Sequence, residues 1–232
     1  MTAPADVRAG SRIASDWPLF GLRISTERLE LRPPNDDEIA ELARVARLGI
    51  HGDDVMPFAN GWTDYPEREF GRRFAQYFWS QRAGWRVDSW ALPFAVFVAG
   101  EPAGVQQVTA NAFPVLRTVG TGSWLARVHQ RRGIGSEMRA AVLHFAFEAL
   151  DADVAITGAY SYNAGSIAVS RKLGYEPNGT RRDIVCGAPA DALLFRLCRE
   201  RWLATARPKV SVEGFEACVD LFCLDGEGAL GR

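Results

Sequence analysis

The chain is poor in several things that would point to common functions. Its four cysteines, Cys186, Cys198, Cys218 and Cys223, form no Cys-x-x-Cys and no metal-ligand pairing. Neither a zinc site nor a disulfide framework is expected, and free thiols in a reducing compartment fit. The three histidines, His51, His129 and His144, are scattered, which argues against a metal centre. No stretch is long and apolar enough to span a membrane. Net charge is −1, so the overall basic bias of a nucleic-acid binder is missing. Residues Met1 to Ser15 lack the apolar run of a signal peptide and read as a flexible arm. These absences point to the cytoplasm. One more bears on mechanism: no Asp or Glu occurs from Pro102 to Ser136.

What is present suits one folded domain with an appendage. The 232 residues are 47% hydrophobic and 24% charged, enough to bury a substantial core. The stretch His129-Gln130-Arg131-Arg132-Gly133-Ile134-Gly135-Ser136 stands between an apolar run, Ser123 to Ala126, and an amphipathic helix from Glu137 to Leu150. The helix phase is carried by Ile134, Met138, Ala141, Val142, Phe145, Ala146 and Ala149. A strand, a basic glycine-bearing turn and a helix start make an anion site. The first helical N–H groups have no partner within the helix, and the macrodipole adds positive charge there. Gly133 and Gly135 let a phosphate approach the backbone, and Arg131 and Arg132 add charge-assisted hydrogen bonds. A Walker loop would need Gly-Lys-Ser/Thr, and a dinucleotide fingerprint would need a third glycine where Met138 stands.

Read in order, Leu22 to Arg32 alternates as a first strand closed by Pro33-Pro34, and Asn35 or Asp36 caps a helix through Ile39 and Ala46. Residues 51–64 read as an aromatic and charged loop. A helix follows Asp64 and Pro66 through Phe70, Phe74, Tyr77 and Gln81. Trp90–Val98 and Ala103–Ala110 form a hairpin around Gly100-Glu101-Pro102, and Val115–Ala126 is the next strand. Gly120 and Gly122 suggest a bulge or a close backbone approach. Asp153–Gly158 is a strand, Ile167 to Gly174 a helix, and Glu176–Val185 and Ala192–Arg199 the last strands. Beyond residue 203, Phe215, Cys218, Val219 and Phe222 form an apolar stripe that can dock on the domain, meet a second subunit in a homodimer or bind another partner.

The pattern Gln130-x-x-Gly133-x-Gly135 resembles the pyrophosphate loop of the GNAT superfamily of N-acyltransferases. Thr26-Glu27-Arg28-Leu29-Glu30-Leu31-Arg32-Pro33 resembles the opening of its RimJ/RimL-like branch. The string from Asn163 through Ser166, Ile167, Val169 and Lys172 to Leu173-Gly174-Tyr175 resembles the next motif of that branch. Residues 51–64 resemble a loop of actinobacterial members, some assigned as succinyl-CoA-dependent, that lines the acceptor side. The resemblance implies an α/β GNAT fold, with a mixed central sheet of six to seven strands flanked by helices and two strands splayed to form the coenzyme A cleft. It places a flexible arm at residues 1–17, the acyltransferase domain at 18–203 and an extension at 204–232.

It further implies an acyl-CoA-dependent N-acyltransferase, with acetyl-CoA or succinyl-CoA as the donor substrate and no metal. The acceptor is an amine of a protein N-terminus, a lysine or a small molecule. Donor contacts fall to Trp124, Leu125, Gln130, Arg131, Arg132, Gly133, Ile134, Gly135, Ser136 and Asn163, with Gly122 beside them on the splayed strand. A backbone amide near Leu125 would receive the oxyanion. Ser166 would protonate the departing thiolate, with Tyr160 and Tyr162 as other donors. Asn163 and Ser166 also suit an ordinary helix cap. The usual GNAT carboxylate on the central strands is missing. His51, Asp53, Asp54, Asp64 and His129 are the alternative bases, and an α-amine, with a pKa of about 8, needs less help than a lysine. For a succinyl carboxylate, Arg127, Arg117 and His51 are the available cations. Two competing readings are a non-catalytic acyl-CoA-binding module and an aminoacyl-tRNA-dependent transferase; the near-neutral charge disfavours the second.

Overall fold

The computed structural model describes residues 12–52, 55–205, 207–222 and 224. Most of the expected arm, residues 1–11, and the end of the tail, Cys223 and residues 225–232, lie outside the described residues. The strands are β1 (Arg23–Ser25), β2 (Leu29–Arg32), β3 (Trp90–Val98), β4 (Glu101–Ala110), β5 (Thr118–Leu125), β6 (Val154–Tyr160), β7 (Glu176–Val185), β8 (Ala188–Cys198) and β9 (Ser211–Glu213). The helices are α1 (Arg12–Asp16), α2 (Asp36–Arg47), α3 (Glu67–Ala83), α4 (Phe113–Leu116), α5 (Ile134–His144), α6 (Ala164–Lys172) and α7 (Arg199–Leu203).

Among the described residues, all nine strands join one sheet in the order β7-β8-β6-β5-β4-β3-β2-β1-β9. Every neighbouring pair is antiparallel except β5 and β6. Parallel neighbours need a crossover, and α5 supplies it. The sheet has more strands than the six to seven expected, for two local reasons. The run from Leu22 to Arg32 is two strands, because the Thr26 hydroxyl accepts the Leu29 N–H at 3.1 Å and folds the chain back at Thr26–Arg28. The tail then adds β9 against β1.

The two faces of the sheet bury different cores. Trp90, Phe94, Val119 and Leu125 pack with α5 on what we call the rear face. Ala95, Phe97 and Val105 pack with α2 and α3 on the front face. Asn35 starts α2 with a reciprocal capping box: its side chain accepts the Glu38 N–H, and Glu38 accepts the Asn35 N–H. The aromatic stripe of α3, Phe70, Phe74 and Phe78, is core. The expected strand start at Val115 is instead the single helical turn α4, since Pro114 cannot donate to a ladder and Phe113 is buried. The β3–β4 turn is Ala99-Gly100, both at positive φ, one step earlier than expected. The ladder between β4 and β5 runs without a bulge, so Gly120 reflects close approach alone: a Cβ there would lie 2.6 Å from Thr109 Oγ1.

Residues 211–222 belong to the same body. Cys218 and Phe222 sit fully buried in the rear core, and the Trp85 indole donates to the Leu221 carbonyl at 3.1 Å. Of the three fates left open for the apolar stripe, docking on the domain is the one observed.

Candidate active site

The site follows from where β5 and β6 part. They pair only from Thr118 to Gly120 against Val154 to Ile156. Beyond that, the edge of β5 from Thr121 to Leu125 faces a cleft of about 770 Å³. The Thr121 and Leu125 carbonyls point into this gap, where they accept Thr157 Oγ1 and Gln130 Nε2. Strand alternation therefore aims the Ser123 and Leu125 N–H groups into the gap as well. Trp124 turns its backbone to β4 and its ring to Trp62 and Phe74 on the front face.

At one end of the gap lies the start of α5. Gly133 holds φ 81°, a left-handed conformation that a side chain would strain, and opens the helix as its cap. The Ile134 and Gly135 N–H groups have no intrahelical acceptor. Ser136 and Glu137 return their N–H groups to the Gly133 carbonyl. Gln130, Arg131, Gly133, Gly135 and Ser136 line the cleft. Arg132 does not, and Ile134 puts its side chain into the rear core, leaving only its backbone for a ligand. Gln130 acts as a brace, donating to Ile50 O at 2.6 Å and to Leu125 O at 2.7 Å. Two residues of the opening motif, Thr26 and Arg28, fix the loop from below. Thr26 Oγ1 donates to Glu137 at 2.6 Å, and Arg28 donates to Glu137 and to the Arg132 carbonyl.

The opposite wall is β6 and α6. Asn163 caps α6 through the Ser166 N–H at 3.1 Å, so its carbonyl is used and its amide N–H groups remain to donate. The Ser166 hydroxyl lines the cleft and has no partner among the described residues. Both the cap and the cleft readings of this pair therefore hold together.

The front of the cleft carries groups that the sequence order concealed. Asp183 on β7 and Tyr160 on β6 meet at 3.5 Å, and Arg181 donates twice to Asp183, at 2.8 and 3.0 Å. Hydrogen bonds from Arg181 outweigh partial burial and hold the Asp183 carboxyl below its ordinary range. Burial and the Asp183 charge push the Tyr160 phenol up, so it stays protonated. Ile50, His51, Gly52, Val55, Pro57, Phe58 and Ala59 line the cleft on this side. Arg127 N donates to Gly49 O, Gln130 to Ile50 O, and the Tyr162 hydroxyl to Met56 O at 2.8 Å.

The other candidate bases fare differently. His51 lines the cleft with both ring nitrogens engaged, by Gly52 O at 2.7 Å and Thr63 Oγ1 at 2.9 Å. Asp64 and His129 do not line the cleft, and Asp53 and Asp54 lie outside the described residues. Arg117 pairs with Asp151 and Arg127 stands outside the cleft, so the three cations considered for a succinyl carboxylate do not converge. Among the described residues no group of three or more His, Cys, Asp or Glu side chains is placed to hold a metal, and no helix is long and apolar enough to cross a membrane.

A mixed sheet parted beside a helix start with open N–H groups makes a cleft that can hold an extended ligand ending in an anion. Residues 28–176 match the family model described as the acetyltransferase (GNAT) domain, and the chain belongs to that family. Among solved structures, it is similar to Mycobacterium smegmatis RimJ in complex with CoA-disulfide, at 22% identity and TM-score 0.64, over 86% of this chain and 91% of that one. It is similar to RimL, the ribosomal L7/L12 alpha-N-protein acetyltransferase in complex with coenzyme A, at 19% identity and TM-score 0.59, over 75% and 95%. A Salmonella typhimurium acetyl transferase described as modifying the N-terminal serine of L7/L12 matches at 20% identity and TM-score 0.60, over 75% and 96%. At these identities the solved structures establish the fold.

Proposed function

We propose that this GNAT acetyltransferase moves the acetyl group of acetyl-CoA to the α-amine of a protein N-terminus, with a ribosomal protein as the acceptor class. The observation carrying this reading is the continuity of one cleft, from the open N–H groups of Ile134 and Gly135, along the unpaired edge of β5, to Asp183 and Tyr160. The helix start suits the diphosphate and the gap suits the extended pantetheine arm. The Ser123 or Leu125 N–H stabilises the charge that develops on the thioester oxygen. Asp183 is too weak a base to take an ammonium proton efficiently; its fixed negative charge instead attracts and orients the ammonium form. An α-amine is partly neutral at physiological pH, so water can carry its proton away. Ser166 gives the departing sulfur a proton. The activities of the RimL and Salmonella typhimurium neighbours support a protein N-terminus as acceptor.

Succinyl-CoA is the second donor to test, and the dispersal of Arg117, Arg127 and His51 favours acetyl over it. Thermal unfolding with acetyl-CoA, succinyl-CoA and coenzyme A reads the donor site. A ligand at 100 times its Kd adds about 2.7 kcal/mol, which is several degrees for this size. Mass spectrometry of peptides with free and blocked N-termini then reads the acceptor. Absence of any shift with every donor near a millimolar overturns the donor site. A shift without acetylation of any free N-terminus points to a binding module instead.

A further inference from the structure

The rear wall of the cleft holds a charge that the steps above do not use. Arg139, one turn into α5, is 3% exposed and lines the cleft. Its Nη1 donates to Ser170 Oγ at 3.0 Å and its Nη2 to Ser123 Oγ at 3.4 Å. Its Nε has no hydrogen-bond partner among the described residues. No carboxylate among the described residues pairs with it, and its buried titratable neighbour is the Tyr175 phenol, which meets Thr121 Oγ1 at 3.4 Å. Burial pushes the Arg139 pKa down, but an arginine starts so high that it remains a cation. An uncompensated buried charge is costly. A leucine-sized side chain at this position would carry no such cost.

Position suggests the use. Ser123 belongs to the wall whose N–H faces the thioester. Ser170 donates to the Ser166 carbonyl at 3.0 Å, one turn from the proposed proton donor. Arg139 thus ties together the two walls between which the pantetheine arm runs. It does so on the rear face, whereas Asp183 and Tyr160 stand on the front with the Val185, Ala190 and Ala192 cluster. The gap lies between a fixed negative charge on the acceptor side and a fixed positive charge on the donor side.

We propose that Arg139 is a positioning and electrostatic residue that lowers the pKa of the coenzyme A thiol, so that the thiolate leaves readily. This rests on the acyl-CoA reading above. In the reaction the amine nitrogen forms the new C–N bond and the C–S bond breaks with its electron pair on sulfur. The proton lost by nitrogen goes to water, and the sulfur takes one from Ser166, which is resupplied by solvent. The anion exists only once the C–S bond is breaking. A charge that meets no anion in the ground state and one in the transition state lowers the barrier rather than tightening donor binding.

The test is the ultraviolet thiolate absorbance of coenzyme A bound to the full chain, titrated with pH. The desulfo-CoA complex is subtracted to remove tyrosine ionisation. In the wild type the bound thiol should titrate about 1–3 units below free coenzyme A, the range for a nearby opposite charge. Arg139→Gln, which keeps hydrogen-bonding groups but no charge, should return most of that shift. Arg139→Lys, which keeps the charge but not the fork, should retain most of it; a purely structural role would make the two variants alike. An unshifted thiol in the wild type overturns the proposal without needing any variant to fold, and leaves the donor site standing. Failure of coenzyme A to bind at all overturns the acyl-CoA reading, and this proposal with it.

Discussion

Replacing Glu137 with glutamine should weaken the protein in a way that depends on pH. The carboxylate sits in the first turn of α5, 12% exposed, and takes hydrogen bonds from Thr26 Oγ1 at 2.6 Å and Arg28 Nε at 2.7 Å, with Arg28 Nη2 closing the fork. Arg28 is 49% exposed, so water screens its side of the pair and the fork contributes about 0.5–1 kcal/mol. The hydroxyl bond to a charged acceptor adds about 1.5 kcal/mol, and the helix start about 0.5 kcal/mol. Glutamine keeps an acceptor but not the charge, so the loss should be about 1–2 kcal/mol, or roughly 2–8 °C in Tm. Burial alone would raise the Glu137 pKa, but Thr26 and Arg28 outweigh it and hold the pKa below its ordinary value. A depressed pKa contributes stability that is complete above the unfolded value, about 4.3, and fades as pH falls through the folded one. Urea melts of both proteins from pH 7 down to pH 3 read this directly. The gap between them should be constant above about pH 5 and close in the acid limb. A gap of the same size at every pH, or none at pH 7, refutes the electrostatic account of the clamp.

Gly135→Val tests the phosphate loop without breaking the fold. A Cβ there meets Val169 Cγ2 at 3.7 Å, an ordinary contact, so Tm should hold while the thermal shift with coenzyme A disappears; a retained shift removes this glycine from the donor site. Ser166→Ala should lower kcat by about a hundredfold or more with donor affinity unchanged, measured by peptide acetylation and calorimetry. Asp183→Asn should raise KM for the peptide and leave the donor Kd alone, and an unchanged KM would place the ammonium elsewhere. Phe222→Ala should cost about 3–5 kcal/mol, because the ring is fully buried against Trp85, Trp90 and Phe145; a loss below 1 kcal/mol in a chemical melt would mean that the tail is not part of the core.

The half of the cleft proposed to hold the donor was legible because its physics is local. Gly133 and Gly135 open a helix that directly follows a strand, and Asn163 and Ser166 lie three residues apart at the next helix start. The half proposed to receive the acceptor was not. Asp183 reaches Tyr160 because β7 and β8 form a long hairpin that lays residue 183 beside Ala190 on the front face; nothing near Asp183 in the sequence marks it. Arg139 sat on a helix whose apolar phase was read correctly, but its burial depends on where α6 and β5 place Ser170 and Ser123. The helical turn at Phe113–Leu116 was missed because Val115 and Leu116 continue an apolar run whose strand potential Pro114 had already cancelled. The strand count came out low because Thr26 splits one run into two and β9 comes from beyond the matched domain.

The pairing of β9 with β1 sets Arg23 opposite Glu213. During synthesis, every residue between them must be made before that pair can form, and the closing of so long a loop carries an entropic cost that local turns do not. Until then, the site on the sheet for β9 is a bare edge, and the aromatic rings that receive Phe222 face water. The nascent chain can assemble its helices and central hairpin early, yet its rear core stays unsealed through most of translation. A ribosome that pauses late would therefore hold a partly folded chain with an adhesive flank, the condition under which chains aggregate or engage chaperones.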